Sequence, residues 1–403
     1  MSILSNKRII LGVTGSIAAY KAADLASKLT QANAQVDVIL SSAAEKFITP
    51  LTFQSVTGRR AYIDTDLWGN EAHVLHVGLG HTAALLVIAP CTANTIAKLA
   101  YGQADTLLTV TALASTCPLL IAPAMDAGMF DHPATQENLD TLKKRGATII
   151  GPAEGHLASG LSGAGRMLEP AEIIGHIRLI LGRNGPLADK QIIITAGGTH
   201  EPLDPVRVLT NRSSGKQGYA LAQAALDAGA QVTLITTPTS VTPPTGARLI
   251  HVETAKQMLD AVLNESAQSD VLVMAAAVAD FRPKNMAKDK IKKDSGIPQV
   301  ELEATDDILK TVAGNGSGKN RPRVVVGFAA ESRDLLENAT VKLKSKGLDL
   351  IAANDISASD AGFASETNRV TLLFADGRKE SLPLMGKSEV AETIMERVAD
   401  LLE

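Results

Sequence analysis

Cysteine is nearly absent from this sequence of 403 residues, which contains only Cys91 and Cys117. Two cysteines can form neither a disulfide framework nor a four-thiolate metal site, and their scarcity is typical of a reducing cytoplasm. No apolar run is long enough to span a bilayer, and the opening residues MSILSNKRIILGVTG lack a signal-peptide cleavage pattern. The sequence therefore predicts a cytoplasmic protein that does not enter a membrane.

An excess of basic charge is also missing, because 39 Lys and Arg residues stand against 43 Asp and Glu residues, for a net charge of -4. Such a balance excludes nucleic acids and anionic lipid surfaces as main partners, since both require many basic side chains. Small anionic ligands can still bind where positive charge is concentrated locally. The length suits two domains, each large enough to bury a core.

Two copies of one strand–glycine–helix–strand pattern follow each other along the chain. In the first copy, the apolar run 8–14 ends at the glycines of 12–15, a helical pattern covers 16–29, and a second strand covers 36–40. Residues 32–40 are then closely echoed by residues 228–236. This pattern predicts an α/β protein with two tandem, doubly wound, Rossmann-like domains whose sheets are parallel.

Continuous Val, Ile and Leu runs predict the remaining strands, as expected for sheets covered on both faces. These runs are 85–89, 119–122, 147–150, 191–195, 232–236, 271–275, 324–328 and 350–353. Asp376-Gly377 predicts a β-hairpin between strands 370–374 and 381–384. Helices are predicted at 173–181 and 388–402. Glycine and proline in 182–189 mark the boundary, so we predict domains at 1–187 and 188–403.

Polar clusters follow the predicted strand ends of the first half. They are Gly15-Ser16, Ser41-Ser42, Thr92 with Asn94 and Thr95, and Met125-Asp126. Because the carboxyl ends of parallel strands meet at one edge, these groups predict a ligand site there. Neutral donors and a helix N-terminus can hold a phosphate. His76 precedes the third strand, but a lone histidine is more often a surface or capping residue than a catalyst.

Residues 191–220 contain the strongest ligand signal of the second half. A strand at 192–195 stops at Gly197-Gly198, a polar crossing follows, and a helical pattern begins at about Ser214. Paired glycines let the backbone approach a phosphate, and Arg207 and Lys216 add positive charge. Neither a GxGxxG nor a P-loop pattern is present. The stretch therefore predicts a phosphate or nucleotide site of another kind.

The motifs of each half also resemble known families. The first half contains GVTGSIAAYK at 12–21, His76, APCTANT at 89–95, APAMDAGM at 122–129 and GAGRM at 163–167, and resembles the flavin-dependent cysteine decarboxylases. The second half contains TAGGTHEPLDPVR at 195–207, NRSSGK at 211–216, AAAVAD at 275–280 and KIKK at 290–293, and resembles phosphopantothenoylcysteine synthetase. The tandem resembles the bacterial bifunctional coenzyme A biosynthesis family over nearly the whole chain.

The resemblance implies that the first half is a flavodoxin-like flavoprotein module of the homo-oligomeric cysteine decarboxylase family. FMN would accept electrons from the cysteinyl group of phosphopantothenoylcysteine, the resulting thioaldehyde would lose carbon dioxide, and the flavin would return the electrons. His76 is implied as the base or as the group that holds the reacting carboxylate. The implied FMN contacts are Gly15, Ser16, Ser41, Thr92, Asn94 and Asp105. The implied substrate contacts are Met125, Asp126, Met129 and Arg166.

Two positions of the first half depart from the family pattern. Asp126 stands where an asparagine is usual, and an ionised carboxylate would repel a substrate carboxylate, so Asp126 is either protonated or contacts the substrate differently. Ser159 stands where the family has its proton-donating cysteine. Three explanations are open. Water or another acid replaces the thiol as proton donor, Cys91 or Cys117 reaches the site, or reduction of the enethiolate is slow and the oxidised product is released. We favour the first.

For the second half, the resemblance implies that CTP with Mg²⁺ activates 4′-phosphopantothenate as an acyl-nucleotide, which the amine of cysteine then attacks. Lys290 is implied in nucleotidyl transfer, Asn211 in handling the acyl intermediate, and Arg207 in binding phosphopantothenate. The implied nucleotide contacts are Met274, Ala275, Ala276, Asp280, Lys290, Asp307, Ile308, Phe328, Lys342 and Lys346. The family's Pro-Asp-Ile loop reads Asp306-Asp307-Ile308 here. Without these motifs, residues 288–293 would read as a solvated basic loop.

The resemblance further implies trimeric contacts in the flavin module and dimeric contacts in the ligase module, together a homo-oligomer as large as a dodecamer. Two rival functions remain open at this point. An oxidoreductase with two Rossmann-like domains would require a GxGxxG turn, which neither half has. A regulatory flavoprotein without activity is favoured by Asp126 and Ser159, and is opposed by His76, Asn211 and Lys290.

Overall fold

The computed structural model describes residues 2–68, 74–158, 160–292, 298–314, 321–331, 334–355 and 367–403. The chain divides into two compact units, which meet in sequence between Leu181 and Gly182. The domain cut predicted at 187 lies a few residues further along, in the segment that leads into the second sheet. Ser159, Lys293 and the other residues outside these ranges are not described.

Residues 2–181 form a parallel sheet with helices on both faces. The strands are β1 Arg8–Val13, β2 Gln35–Leu40, β3 Ala61–Tyr62, β4 Leu85–Cys91, β5 Leu119–Pro123, β6 Thr148–Ile149, β7 Ala153–His156 and β8 Ser162–Arg166. The helices are α1 Ala19–Gln31, α2 Pro50–Thr57, α3 Leu75–Thr82, α4 Ala93–Tyr101, α5 Leu107–Ala114, α6 Ala127–Phe130, α7 Pro133–Lys144 and α8 Pro170–Gly182.

The six-stranded sheet has the order β3-β2-β1-β4-β5-β6, and its pairs are parallel. This is the strand order of a Rossmann fold. The edge strand β3 has only two residues, and the other five strands have the flavodoxin order 2-1-3-4-5 when numbered without it. The predicted doubly wound α/β class is therefore confirmed. Strands β7 and β8 form a separate antiparallel hairpin.

Successive residues of a strand point to opposite faces of this sheet, and both faces are covered. Ile9 and Leu11 of β1 belong to one core cluster, whereas Ile10 between them belongs to the other. Helices α1, α2 and α8 contribute to the first cluster, and α3, α4, α5 and α7 contribute to the second. Because every residue of β1 from Ile9 to Val13 is buried, the strand is continuously apolar rather than alternating.

Residues 182–403 form a second sheet of the same kind. Its unit contains β9 Gln191–Ala196, β10 His200–Pro202, β11 Val208–Thr210, β12 Gln231–Thr236, β13 Arg248–His251, β14 Val271–Met274, β15 Phe281–Pro283, β16 Leu302–Ala304, β17 Val324–Glu331, β18 Leu350–Asp355, β19 Thr367–Asn368, β20 Val370–Phe374, β21 Lys379–Ser381 and β22 Met385–Gly386. The helices are α9 Lys216–Asp227, α10 Ala255–Ser266, α11 Ile308–Gly314, α12 Leu335–Ser345 and α13 Lys387–Leu402.

The eight-stranded sheet has the order β13-β12-β9-β14-β17-β18-β20-β21. Its pairs are parallel from β13 to β18 and antiparallel from β18 to β21. The predicted Asp376-Gly377 hairpin is present, but its second strand covers Lys379–Ser381 rather than 381–384. Asp376 Oδ1 accepts a hydrogen bond from the Arg378 N–H at 2.9 Å, which closes the turn and starts the strand earlier.

The crossing between β9 and α9 is not a plain polar loop as predicted. It contains the antiparallel pair β10–β11, and a second small pair, β15–β16, follows β14. Their strands have three residues each, which is too short for a periodicity signal. Among the described residues, no helix has both the length and the apolar character that crossing a membrane requires.

Candidate active sites

A cavity of about 890 Å³ lies at the carboxyl ends of the strands in residues 2–181. All four predicted polar clusters line it, because parallel strands end at the same edge of the sheet. Its lining includes Gly15, Ser16, Ser41, Ser42, Thr92, Asn94, Thr95, Met125, Asp126, Met129 and Arg166. The sequence alone could place these groups together, since each follows a recognisable strand.

Two buried or half-buried side chains hold the cavity walls. Thr14 Oγ1 donates to the Pro90 carbonyl at 2.8 Å and accepts from the Thr92 N–H at 3.0 Å, which ties the end of β1 to the turn before α4. Asp64 accepts one hydrogen bond on each carboxylate oxygen, from the Ser42 N–H and the Leu107 N–H, both at 3.1 Å. Asp64 therefore joins the turn after β2 to the start of α5.

Helix α4 begins at this cavity and directs free N–H groups toward it. Thr92 is its N-cap, and the Thr92 hydroxyl accepts from the Thr95 N–H at 3.4 Å. The remaining N–H groups of the first turn have no partner within the helix, and the helix dipole favours an anion there. Together with the hydroxyls of Ser16 and Ser41, this helix end can hold a phosphate.

Positively charged side chains also line this cavity, of which the sequence alone pointed only to Arg166. Lys21 lines the cavity although only 8% of its surface is exposed. Its ammonium donates to Glu169 Oε1 at 2.6 Å and to the Met167 carbonyl at 3.3 Å, and Arg166 lies 3.7 Å from the same carboxylate. Two cations thus share the Glu169 carboxylate.

The β7–β8 hairpin covers part of the cavity and packs tightly against it. The Met125 N–H donates to the Gly165 carbonyl at 3.1 Å, and a Cβ at Gly165 would overlap the Met125 carbonyl oxygen. Gly165 is therefore required for the close approach of β8 to the strand end that carries Asp126. One oxygen of Asp126 accepts from the Gly128 N–H at 2.9 Å and caps α6, so that oxygen is already engaged.

Replacing Gly165 by Ala should destabilise the first unit by about 1–3 kcal/mol, the usual cost of overpacking. The added methyl group would meet the Met125 carbonyl oxygen, which belongs to the backbone and cannot rotate away as a side chain can. The hairpin must therefore move. Gly78→Ala is the matched control, because a Cβ at Gly78 meets no atom within 4 Å and improves helix propensity in α3. Thermal unfolding should separate the two variants, and equal melting temperatures would contradict the tight packing.

Three predicted residues of the first half do not line this cavity as described. His76 lies in the first turn of α3, and Asp105 pairs at the surface with Lys98, which does line the cavity. The hydrogen bond from Lys98 lowers the pKa of Asp105 despite some desolvation. Ser159 lies outside the described residues, between Ala158, which lines the cavity, and Gly160.

The two cysteines are poor candidates for the missing proton donor. Cys91 is completely buried in the core, and burial raises the pKa of its thiol far above the usual range. Burial also raises the pKa of Cys117. Neither residue is among those that line the cavity. Of the three explanations for Ser159, delivery of the proton by Cys91 or Cys117 is therefore disfavoured.

A second cavity, of about 550 Å³, lies at the centre of residues 182–403. The predicted residues that line it are Asn211, Met274, Ala275, Ala276, Asp280, Asp307, Ile308, Phe328, Lys342 and Lys346. The segment after β14 is held against the β9 turn by two threonines. Thr195 Oγ1 accepts from the Ala276 N–H at 3.1 Å, and Thr199 Oγ1 accepts from the Ala279 N–H at 2.9 Å.

The start of α9 forms one wall of this cavity. Gly215 precedes the helix with φ +75°, a conformation that favours glycine, and lets the chain turn into α9. Asn211 lies at the same wall, and its Nδ2 donates to the carbonyl groups of Val278 at 3.1 Å and Ala277 at 3.4 Å. These contacts leave the Asn211 amide oxygen for a ligand, and the first N–H groups of α9 add an anion site.

A cluster of charges forms the end of this cavity near the start of β18. Lys346 lies 3.3 Å and Lys310 lies 3.7 Å from the Asp307 carboxylate, and Lys342 lines the cavity beside them. Asp306 and Asp307 both line the cavity, so the loop that departs from the family pattern still faces it.

Lys290 and Arg207 lie outside this cavity. Lys290 is exposed, and Arg207 donates to the Ile291 carbonyl at 2.8 Å. Asp204 anchors both segments, since it accepts from the N–H groups of Val206 and Arg207 at 2.8 Å and of Ile291 at 3.1 Å. Burial alone would raise the pKa of Asp204, but these N–H groups and the Arg207 charge lower it.

Four polar residues of this cavity carried no signal that singled them out in the sequence. They are Gln217 in α9, Asn354 at the end of β18, Asn368 in β19 and Lys387 at the start of α13. They come from distant parts of the chain, and only the sheet order brings them together. Hydrogen bonds link the amides of Gln217, Asn354 and Asn368 to one another.

Each half of the chain matches a known protein family. The flavoprotein family matches residues 2–181, and the DNA/pantothenate metabolism flavoprotein C-terminal domain matches residues 187–402. The coenzyme A biosynthesis bifunctional protein CoaBC of Bacillus subtilis is 45% identical over 402 residues, covering 99% of this chain and 98% of that protein. The protein of the same name from Vibrio vulnificus is 43% identical, with complete coverage of both chains.

A solved structure of the C-terminal domain of CoaBC is 41% identical; it covers 54% of this chain and 98% of its own, with a TM-score of 0.46. The full-length sequence matches are decisive for the family, because identity above 40% extends across both cavities. The chain therefore belongs to the CoaBC family of bifunctional coenzyme A biosynthesis proteins, enzymes that unite a flavoprotein decarboxylase domain with a ligase domain.

Proposed function

We propose that residues 182–403 join 4′-phosphopantothenate to cysteine with CTP, and that residues 2–181 decarboxylate the product, 4′-phosphopantothenoylcysteine, with FMN. The observation that carries this proposal is the presence, in one CoaBC-family chain, of two strand-end cavities with different charges. The first is lined by neutral donors, by the start of a helix, and by Lys21 and Arg166. The second is lined by lysines and carboxylates suited to a nucleotide with Mg²⁺.

The first cavity fits FMN by size and by chemistry. About 890 Å³ lies within the range of ligand pockets, and a flavin brings the capacity to accept and return an electron pair. Thr92, Asn94 and the first N–H groups of α4 would hold the FMN phosphate, with the hydroxyls of Ser16 and Ser41 as further donors.

Lys21 and Arg166 would hold the anionic groups of the substrate at the same cavity. Arg166 presents a planar fork that matches a carboxylate or a phosphate, whereas Lys21 is fixed by Glu169 and supplies a buried charge. Asp126 and Met129 lie beside them, and the cap at Gly128 restrains Asp126.

His76 takes part in this reaction only if a second copy of the chain supplies it, because it lies outside its own cavity. Large apolar groups are exposed around α3, including Trp68 at 87%, Val74 at 59% and Leu113 at 65%. Monomeric proteins rarely expose such patches, and another copy can cover them. A trimer through this surface would bring His76 to the neighbouring FMN, as base or as carboxylate holder.

In the second cavity, Lys342 and Lys346 would bind the triphosphate of CTP, and Phe328 would contact the base. Asp280 would bind the nucleotide together with Mg²⁺. Metal ions and lysines neutralise the charge that develops during nucleotidyl transfer. Asn211 would direct its amide oxygen at the acyl intermediate, because its amide protons are held by the backbone. Lys290, in the 288–292 loop, and Arg207, which donates to the Ile291 carbonyl of that loop, would complete the site.

The ligase domain is expected to dimerise through its small strand pairs. Val206, between β10 and β11, and Phe281 in β15 expose large apolar surfaces, and β10 contacts β15. A second copy of the chain could cover these apolar side chains. The loop that carries Lys290 would act as a lid that excludes water from the acyl-nucleotide. Together with the trimeric decarboxylase contacts, this arrangement would yield the predicted dodecamer.

Replacing Asp64 by Asn should weaken FMN binding about tenfold, or about 1.4 kcal/mol. Each Asp64 oxygen accepts one N–H group, whereas an asparagine offers one oxygen and one NH₂, so one wall of the cavity loses its anchor. Fluorescence titration of flavin-free protein with FMN measures the change. Asp66→Asn is a nearby control, since Asp66 does not line the cavity. An unchanged dissociation constant in the Asp64 variant would contradict this role.

Two assays test the proposed function. Purified protein should show an FMN spectrum and release carbon dioxide from supplied phosphopantothenoylcysteine. It should also release pyrophosphate from CTP, with ATP as the comparison nucleotide, when phosphopantothenate and Mg²⁺ are present. Protein that binds flavin without releasing carbon dioxide would indicate a regulatory flavoprotein, and failure to release pyrophosphate from either nucleotide would exclude the ligase reaction.

A further inference from the structure

The reaction proposed for residues 2–181 needs an acid in the step that forms its product. The enethiolate that remains after loss of carbon dioxide must gain a proton on carbon and a hydride before it becomes the thiol of 4′-phosphopantetheine. Ser159 stands where the family has its proton-donating cysteine, and a serine hydroxyl is a far weaker acid than a thiol. Neither Cys91 nor Cys117 is among the described residues that line the cavity. Another group at this cavity must therefore supply the proton, unless water does.

His156 is the one histidine among the described residues that line this cavity. It is the last residue of β7, and it precedes Ser159 by three positions in the sequence. Its side chain is exposed and makes no hydrogen bond or ion pair with any other residue that the structure describes. The imidazole is therefore available to a bound substrate and can exchange protons with solvent.

The β7–β8 hairpin fixes the position of His156 at the cavity. His156 pairs with Ser162 across the hairpin, and the next N–H, that of Leu157, donates to the Leu161 carbonyl at 2.8 Å. Leu157 is buried and packs on β8, since a Cβ at Gly165 would lie 3.1 Å from the Leu157 Cδ2 atom. A paired strand with such an anchor holds a side chain in place more closely than a free loop does.

His156 also lies next to a proposed substrate contact. Arg166 is the last residue of β8, the strand that pairs with β7. A Cβ at Gly155 would lie 2.9 Å from Arg166 Nη1, so the guanidinium lies against the backbone just before His156. A substrate that Arg166 holds therefore reaches the part of the wall that carries His156.

The other ionisable groups of this wall are less suited to donate a proton. They are Tyr20, Lys21, Asp64, Lys98, Asp126 and Arg166. Lys21 and Lys98 donate to carboxylates, and Asp64 and Asp126 accept hydrogen bonds from backbone N–H groups. Tyrosine and arginine side chains, as a class, hold their protons much more tightly than an imidazolium does. Imidazole is the side chain that both takes up and releases a proton near neutral pH.

We propose that His156 is the acid of the reduction step, an inference that rests on the proposed function. Its imidazolium gives a proton to the carbon that carried the carboxyl group. The C=C electron pair of the enethiolate forms the new C–H bond, and a sulfur lone pair forms the C=S bond of a thioaldehyde. The thioaldehyde carbon then takes back the hydride that the oxidation step removed, and the resulting thiolate takes a proton from solvent. His156 regains its own proton from solvent.

This role differs from the one proposed for His76. His76 would act in the steps that lead to carbon dioxide, whereas His156 acts after carbon dioxide has left. Loss of His156 should therefore change which product is released and leave the release of carbon dioxide intact. An exposed histidine without a role in the reaction would change neither.

The test is a single turnover of the intact, FMN-loaded protein in the absence of oxygen, with phosphopantothenoylcysteine equal in amount to the flavin. In wild-type protein, the oxidised-flavin spectrum should return after carbon dioxide is released, and the product should be phosphopantetheine. A positioned acid is commonly worth about 100- to 10,000-fold, so in His156→Gln this return should be slower by at least about tenfold even with water as a substitute. The enethiol, which has two hydrogen atoms fewer than phosphopantetheine, should accumulate and be detected by mass spectrometry.

Glu154→Gln is the matched control, because Glu154 is exposed in the same strand and is not among the described residues that line the cavity. It should match wild-type protein in both readouts. The ratio of enethiol to phosphopantetheine does not depend on how much of a variant is folded, so a stability defect cannot imitate the expected result.

Three results would overturn the role of His156 alone. They are a wild-type return of the flavin spectrum in His156→Gln, an equal delay in Glu154→Gln, and loss of carbon dioxide release itself in His156→Gln, which would place the histidine in an earlier step. Wild-type protein that accumulates the enethiol would also overturn it. Wild-type protein that releases no carbon dioxide would overturn the proposed function, and this inference with it.

Discussion

Replacing Lys290 by Gln should reduce pyrophosphate release from CTP by a factor of at least about 100. One positive donor that acts on developing phosphate charge is commonly worth 100- to 1000-fold in rate, and glutamine keeps the length of the side chain without its charge. Decarboxylation of supplied phosphopantothenoylcysteine should be unchanged, because that reaction uses the other cavity. Measuring both activities on one preparation separates a local defect from a general loss of folded protein.

Lys288→Gln is the control for this prediction. Lys288 and Lys290 are exposed residues of the same loop, so both changes remove one charge from the same surface. A solvated basic loop would tolerate either change equally. Loss of activity in the Lys290 variant alone would support a specific contact with the nucleotide, whereas equal and small effects would return 288–292 to an ordinary surface loop.

Replacing His76 by Gln should lower the rate of carbon dioxide release from phosphopantothenoylcysteine about 100- to 10,000-fold, the usual range for a positioned acid or base. Pyrophosphate release should not change, because that reaction uses the ligase cavity, which His76 does not line. Activity regained when His76→Gln protein is mixed with a variant defective in FMN binding would show that the histidine acts on a neighbouring subunit.

His81→Gln is the matched control for His76, since both residues belong to α3 and His81 is exposed near its end. The control should keep full decarboxylase activity. If His76→Gln also keeps full activity, the histidine is a surface residue, as a lone histidine often is.

The parts of the fold that follow from local patterns could be predicted from the sequence. The buried strand β1 and its glycine turn are examples, because a sheet covered on both faces requires continuous apolar runs that are visible without a structure. The convergence of Ser16, Ser41, Thr92 and Asp126 also follows, since parallel strands end at one edge. The short strand pairs β10–β11 and β15–β16 could not be predicted, because a strand of three residues is too short to show a periodic pattern.

The residues missed by sequence analysis share a physical reason. Lys21 and Lys387 look like ordinary lysines at helix starts, and only tertiary packing buries them against a cavity. Asn354 and Asn368 are separated from Gln217 by more than 130 positions, and the sheet order alone brings them together. Conversely, Arg207 and Lys290 were placed by resemblance, and in a single chain they lie outside the cavity they are expected to serve.

The measurement that tests the central claim most directly uses cysteine labelled with ¹⁴C in its carboxyl group. The labelled cysteine is incubated with the purified chain, phosphopantothenate, CTP and Mg²⁺. Labelled carbon dioxide should appear only when phosphopantothenate, CTP and Mg²⁺ are all present. That result requires ligation followed by decarboxylation of the same cysteine. Labelled carbon dioxide without CTP, or pyrophosphate with no labelled carbon dioxide, would contradict an enzyme in which the second half makes the substrate of the first.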